Sequence, residues 1–255
     1  MIKLGEGKPV ITPEKWISEW GRNIDKEYSA AILTFWGSPL ELLERSLTNA
    51  KEVKLRSIPL IRALEGEVNG LKVLAAHTYF GAPATTTALE LLIAAGIRKF
   101  LVYGGAGSIT RKLRIGDVLI PTWGVREEGT SYHYMPEDYV PKPSPTLTRK
   151  LREALFSTLA LRGSRVMEGG VWSTDAIFRQ TEDKVRRYAN EGVLGVDMES
   201  TALMTVAEYR GAELTIALVI TDELTPPEWR TPSEREWGRI EERERIILNT
   251  MLSVL

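Results

Sequence analysis

Alternation constrains this chain most: short apolar, β-branched runs take turns with helical patterns along nearly its whole length. Residues Ala31 to Trp36 read as a buried strand, and Pro39 to Thr48 as a short helix with Leu40, Leu43 and Leu47 on one face. Leu71 to His77 follows the Asn69-Gly70 turn signal as a second strand. Ala84 to Ala95 is a helix closed by Gly96. Lys99 to Tyr103 is a strand that runs into Gly104-Gly105-Ala106-Gly107, and Asp117 to Pro121 is another. Val166 to Trp172 and Leu214 to Thr221 continue the series. The helix Glu199 to Arg210 ends at Gly211, and a long terminal helix spans Pro232 to Leu255. Such alternation predicts one α/β domain over residues 1–255, three layers (α/β/α) around a central mixed, largely parallel sheet. The Pro-rich stretch Met135 to Pro145 reads as an excursion loop rather than a linker.

Composition excludes several chemistries. Lys plus Arg number 33 against 34 Asp plus Glu, a net charge of −1, which argues against a dedicated nucleic-acid binder but leaves room for a local anion site. With no cysteine, disulfides, thiol catalysis and Cys-ligated metals are ruled out. Only two histidines are present, His77 and His133, so no metal site is expected. No apolar run approaches the roughly 20 residues that span a bilayer, and the first residues lack the pattern of a signal peptide. The expectation is a soluble, cytoplasmic protein without a membrane partner. A single Gln and five Asn accompany the charge-rich composition, a usage seen in thermophile proteins.

Ligands of open α/β sheets collect beyond the carboxyl ends of strands. Three segments fall there. The first, Gly104 to Gly107, reads either as a tight strand-to-loop turn or as backbone N–H groups facing an anion or a ring edge. It has neither Walker nor dinucleotide spacing. In the second, Gly195-Val196-Asp197-Met198-Glu199-Ser200, a carboxylate at a helix start reads either as a dipole-stabilising cap or as the acceptor for paired hydroxyls such as a ribose cis-diol. In the third, Ile220-Thr221-Asp222-Glu223, Asp222 reads either as a turn or cap residue or as a proton donor emerging from a buried strand. One helix and one strand separate Glu199 from Asp222, so both acids are expected at the same rim.

These segments, with WGSPLE from Trp36, HTYFGAPATTTALELLIAAGIRKFLVYGGAGSI from His77, GDVLIP from Gly116, VREEGTSYHYMP from Val125, WSTDAIF from Trp172, GVDMESTAL from Gly195 and LVITDEL from Leu218, resemble the nucleoside phosphorylases of the purine/uridine phosphorylase type. The Asp-Met-Glu-Ser box with an acid 23 residues after its Glu is the most diagnostic spacing. The resemblance implies phosphorolysis of a nucleoside N-glycosidic bond through an oxocarbenium-like transition state, with inorganic phosphate as co-substrate and no cofactor. It implies that Glu199 holds the ribose hydroxyls and Met198 packs beneath the sugar. Ile177, Val196, Phe80 and Gly107 would line the base pocket. Asp222 would protonate or hydrogen-bond the purine N7, and Arg235 would assist it. It also implies a homo-oligomer, a dimer-based hexamer or trimer, to whose contact Tyr132, His133 and Tyr134 are candidates.

The same resemblance points both ways on the base. The uridine branch reads its pyrimidine with a Gln and an Arg where this chain has Thr181 and Asp183, and Asp222 belongs to the purine pattern; VREEGTSYHYMP is closer to the uridine side. A purine nucleoside is favoured. The phosphate ligands depart from the family: Glu41, Val102 and Gly105 stand where two arginines and a Ser or Thr are expected, and Lys3 where a histidine is. Gly37, Gly105, Arg45 and Arg62 remain as phosphate candidates, with Arg56 and Arg126 behind them. Arg45 is placed to pair with Glu41 four residues earlier. Three readings follow: a phosphorylase with a rebuilt phosphate site, a nucleosidase using water, and a non-catalytic nucleoside binder.

Overall fold

A computed structural model describes residues 4–5, 7–20, 28–159, 163–225 and 227–255. Among them, ten strands form one sheet. They are β1 (Ala30–Thr34), β2 (Thr48–Glu52), β3 (Leu60–Val68), β4 (Leu71–Thr78), β5 (Lys99–Ser108), β6 (Val118–Glu127), β7 (Val166–Thr174), β8 (Val193–Asp197), β9 (Glu213–Thr225) and β10 (Glu228–Arg230). Their order is β10-β9-β6-β7-β8-β5-β1-β4-β3-β2. The sheet also closes on itself, because β5 pairs in parallel with β9 from Lys99 opposite Glu213 to Ser108 opposite Glu223. Strands β9, β6, β7, β8 and β5 therefore make a closed ring, with β1 to β4 as an extension beside it.

Helices cover both faces, as expected. On one side lie α1 (Pro13–Trp20), α3 (Ala82–Ala94) and α6 (Ser200–Tyr209), which pack on one another. On the other are α2 (Gly37–Ser46), α4 (Pro145–Leu159) and α7 (Glu234–Ser253), while α5 (Glu182–Asn190) packs on β8. Burying α3 and α6 on the sheet follows from their sequences: eight residues of each are buried, including Leu89, Leu92, Leu203 and Val206. Transfer of that surface from water supplies the driving force, about 25 cal/mol per Å² of apolar area. Gly96 and Gly211 follow α3 and α6 with φ of +108° and +66°, the left-handed ends expected of them.

Several details differ from the sequence reading. The segment Gly104 to Gly107 is not a loop after the strand; it is part of β5, and its backbone is committed to pairing with β9. Its glycines are required by crowding. A Cβ on Gly107 would stand 2.3 Å from the Leu224 side chain, and one on Gly105 2.9 Å from that of Thr221. The Asn69-Gly70 turn closes a β3–β4 hairpin, with φ of +51° and +76°. That hairpin and the exposed, polar β2 make the far edge antiparallel. Residues after Met135 do form an excursion. Arg126 clamps it, donating to the carbonyls of Met135 and Pro136 and to Ser131 Oγ while its guanidinium lies 4.0 Å from the Tyr132 ring. No described helix is long and apolar enough to cross a membrane.

Candidate active site

The geometry of β9 sets the first wall of the site. Ala106 of β5 faces Ile220 and Gly107 faces Asp222, so Thr221 is an extra residue in β9. Such a bulge re-aims the side chains that follow it. Without it, Asp222 would share a face with the fully buried Ile220; with it, Thr221 and Asp222 both line a cavity of about 690 Å³. Both Asp222 oxygens accept hydrogen bonds: Oδ1 from the Thr221 hydroxyl at 2.9 Å and Oδ2 from the Trp229 indole N–H at 2.8 Å.

The opposite wall comes from the turn between β8 and α6. Val196, Asp197, Met198 and Glu199 line the same cavity, so the two acids expected at one rim do meet in one space. Glu199 sits at the N-cap of α6, yet its side chain makes no cap bond there. It accepts instead from the backbone N–H of Gly81, whose φ of +95° presents that N–H ahead of α3. The capping duty falls to Asp197, which accepts from the Ser200 N–H at 3.0 Å. Asp197 also accepts from the hydroxyls of Ser173 and Ser200.

Two buried carboxyls so close cannot both ionise freely. Burial pushes Glu199 up to about 8; the Asp197 charge adds to this and the Gly81 N–H opposes it. Burial raises Asp197 as well, but its hydroxyl and N–H donors favour its charged form. Burial and the neighbouring Asp197 charge thus both favour the protonated form of Glu199.

Aromatic and apolar groups complete the enclosure: Phe35, Trp36, Phe80, Ile177, Phe178, Leu218, Leu224 and Trp229, with Gly105, Ala106 and Gly107 as a flat floor. Trp36 is held from behind, its indole N–H donating to Glu244 Oε2 of α7 at 2.8 Å. Gln180 is the remaining polar lining residue besides Thr221. Among the described residues, every charged group on the lining is an acid.

Comparison with known proteins places this arrangement. The family model described as the phosphorylase superfamily matches residues 29–252. The chain belongs to that superfamily. A uridine phosphorylase of Salmonella typhimurium is 29% identical over 189 residues, covering 69% of this chain and 73% of the relative. A DeoD-type purine nucleoside phosphorylase of Bacillus cereus is 28% identical over 173 residues, 67% of this chain and 72% of the relative. A solved structure of uridine phosphorylase from Vibrio fischeri superposes with a TM-score of 0.77 at 21% identity, over 90% of this chain and 92% of that one, so the fold is shared.

Against that superfamily background the remaining candidates fall apart from the cavity. Val102 is buried in β5 and Glu41 is exposed on α2. Gly37 begins α2 without lining the site, while its neighbours Phe35 and Trp36 do line it. Arg45 is exposed in the last turn of α2, with no ion pair to Glu41 among the described residues, and Arg56 is exposed in the turn before β3. Arg62 pairs with Glu52 at 3.4 Å and Glu44 at 3.7 Å. Arg126 is spent on its loop. Arg235 lies exposed in the first turn of α7, and it is Arg230, not Arg235, that bonds beside Asp222, reaching Glu223 and Glu236. Tyr134 donates to Glu90 and Tyr132 to the Arg126 carbonyl, so both serve the loop within the chain. Lys3 lies outside the described residues. The lining residues the sequence reading missed are Phe35, Phe178, Gln180, Leu218, Leu224 and Trp229; Gln180 carried a signal, being the single Gln of the chain.

Proposed function

We propose that the chain cleaves the N-glycosidic bond of a nucleoside, a purine nucleoside by preference, through phosphorolysis to free base and ribose 1-phosphate. The observation that carries this reading is the convergence of Glu199 and Asp222 on one aromatic-walled cavity. Glu199, once ionised, accepts from the ribose hydroxyls and places negative charge near an oxocarbenium-like sugar; Met198 packs against the sugar. Asp222 serves the departing base at a ring nitrogen, and Gln180 offers one donor and one acceptor to the base edge. Ile177, Val196, Phe80 and Gly107 bound the base. The names of the relatives support phosphate as nucleophile, and no cofactor is needed for the step.

A second reading, with water as nucleophile, draws support from one feature: the described lining holds Asp197, Glu199 and Asp222 and no cation. A phosphate dianion in such a site needs positive charge from elsewhere. A homo-oligomer supplies a source, and the mouth of the cavity suits a second copy, with Phe178, Phe80 and Trp229 exposed by 95%, 72% and 69%. We place the protein in the cytoplasm and expect dimer-based trimers or hexamers. The test is base release from adenosine, inosine, guanosine, methylthioadenosine and uridine, with and without phosphate. Release only with phosphate supports phosphorolysis; release indifferent to phosphate supports the hydrolase. Release from uridine alone overturns the purine preference, and no release from any of them overturns the enzymatic reading.

A further inference from the structure

Asp222 has no vacant oxygen. Oδ1 accepts from Thr221 and Oδ2 from Trp229, so a base that is to bond this carboxyl must displace one of the two donors or share its oxygen. The two donors are not equally fixed. Thr221 is the neighbouring residue in β9, and its position is dictated by the bulge. Trp229 belongs to β10, a three-residue strand at the outer edge of the sheet with all its residues exposed and β9 as its one partner.

The strand is pinned beside the tryptophan rather than at it. Arg230 donates to Glu223 Oε1 at 2.6 Å and to both oxygens of Glu236 at 2.9 Å. Glu223 is itself buried and held by Arg114 at 2.9 Å and the Ile115 N–H at 3.2 Å. The backbone of β10 is thus anchored through charge-assisted bonds. The indole reaches over the cavity mouth from that anchor, and among the described residues its one hydrogen bond is to Asp222.

Resting on the reading of Asp222 given above, we propose that Trp229 is a positioning residue that competes with the nucleobase for Oδ2 of Asp222. The indole N–H holds the carboxyl in the orientation seen. When a nucleoside enters, the base takes Oδ2, a proton carried on that oxygen making the bond to the ring nitrogen, and the indole ring becomes a face on which the base stacks. A planar aromatic wall tolerates any base, whereas the freed oxygen reads one nitrogen. The ring therefore contributes affinity, and the N–H imposes a competition that only a base bonding Asp222 relieves.

The two roles separate by substitution, with binding of adenosine and inosine measured by calorimetry and turnover measured alongside. Trp229→Phe keeps a ring and removes the N–H; binding should tighten roughly tenfold, the worth of a hydrogen bond to a carboxylate at an exposed edge. Trp229→Ala removes the ring as well, and binding should be roughly tenfold weaker than in Trp229→Phe. The tightening should vanish when Trp229→Phe is made in an Asp222→Asn background, because the oxygen competed for is no longer a carboxylate's. A merely structural tryptophan would give two variants that weaken together, and that result, or a Trp229→Phe protein that binds as the parent does, overturns the proposal. Asp222→Asn alone keeps the two levels apart. Lost turnover with an unaltered Trp229→Phe leaves the reading of Asp222 standing and sinks the competition. Full turnover in Asp222→Asn sinks both.

Discussion

Two of the three acids that line the cavity, Glu199 and Asp222, are built differently. Glu199 is buried, fixed by a backbone N–H and paired with a second buried carboxyl, so its environment works on its charge. Asp222 is only half-buried, and its two bonds come from side chains, one of them on an exposed edge strand. The Glu199 end of the site is thus preorganised and electrostatically tense, while the Asp222 end is adjustable. This division suits a reaction in which positive charge develops on the sugar and different leaving groups depart from the other side. The largest expected effect tests that division. Glu199→Gln keeps size but not charge and should lower kcat/KM by roughly 10³-fold for every nucleoside cleaved, in steady-state assays. Asp222→Asn should cost roughly 10²-fold, with the size of the loss depending on the base. If Glu199→Gln proved base-dependent and Asp222→Asn uniform, the assignment of sugar end and base end would be reversed.

A smaller effect sharpens the electrostatic half of the comparison. On the proposed role Glu199 acts as its carboxylate, and burial pushes its ionisation up to about 8. Activity should therefore rise with pH through about 8. Of the causes that hold the value up, burial comes first and Asp197 second. Asp197→Asn removes the second only, so the rising limb should move to lower pH but remain above the ordinary glutamate value of 4.5. A limb that stays in place in this variant would assign it to another group.

Legibility in the sequence followed the range of the interactions. The strands equivalent to β1, β4, β5 and β9, and the helices α3 and α6, showed themselves through local apolar period and glycine stops, because those are properties of neighbours in the chain. Strand β2 did not: Thr48 to Glu52 is almost wholly exposed and carries no apolar alternation. The Gly104 to Gly107 run read as a loop because glycine has no side chain to reveal a period. Its reason lies on the neighbouring strand β9 in Thr221 and Leu224, more than 100 positions away. At the site, Glu199, Met198 and Asp222 stood out through motif spacing. Trp229 did not, since its role depends on β10 folding back on β9 to bring it to Asp222. Nor did local sequence reveal that Asp197 takes over the cap and leaves Glu199 to the cavity, which required the separate donors of the two carboxyls to be seen.

The least of the effects concerns stability, and it has a sign that function alone would not suggest. Glu199 holds its proton more tightly in the folded chain, up to about pH 8, than in the unfolded chain, where the ordinary value is 4.5. Between those values the folded state binds the additional proton, so stability is fully present below about 4.5 and is lost as pH rises through 8. Glutamine cannot ionise and escapes that loss. Glu199→Gln should therefore melt near the parent at pH 4.5 and above it at pH 8.5, with each kcal/mol recovered worth roughly 2–4 °C. Calorimetric scans across that range check it, and a difference that shrinks with rising pH would place the proton elsewhere. A variant that is far less active yet more heat-stable would mark Glu199 as a charge kept in an unfavourable place for the sake of the chemistry.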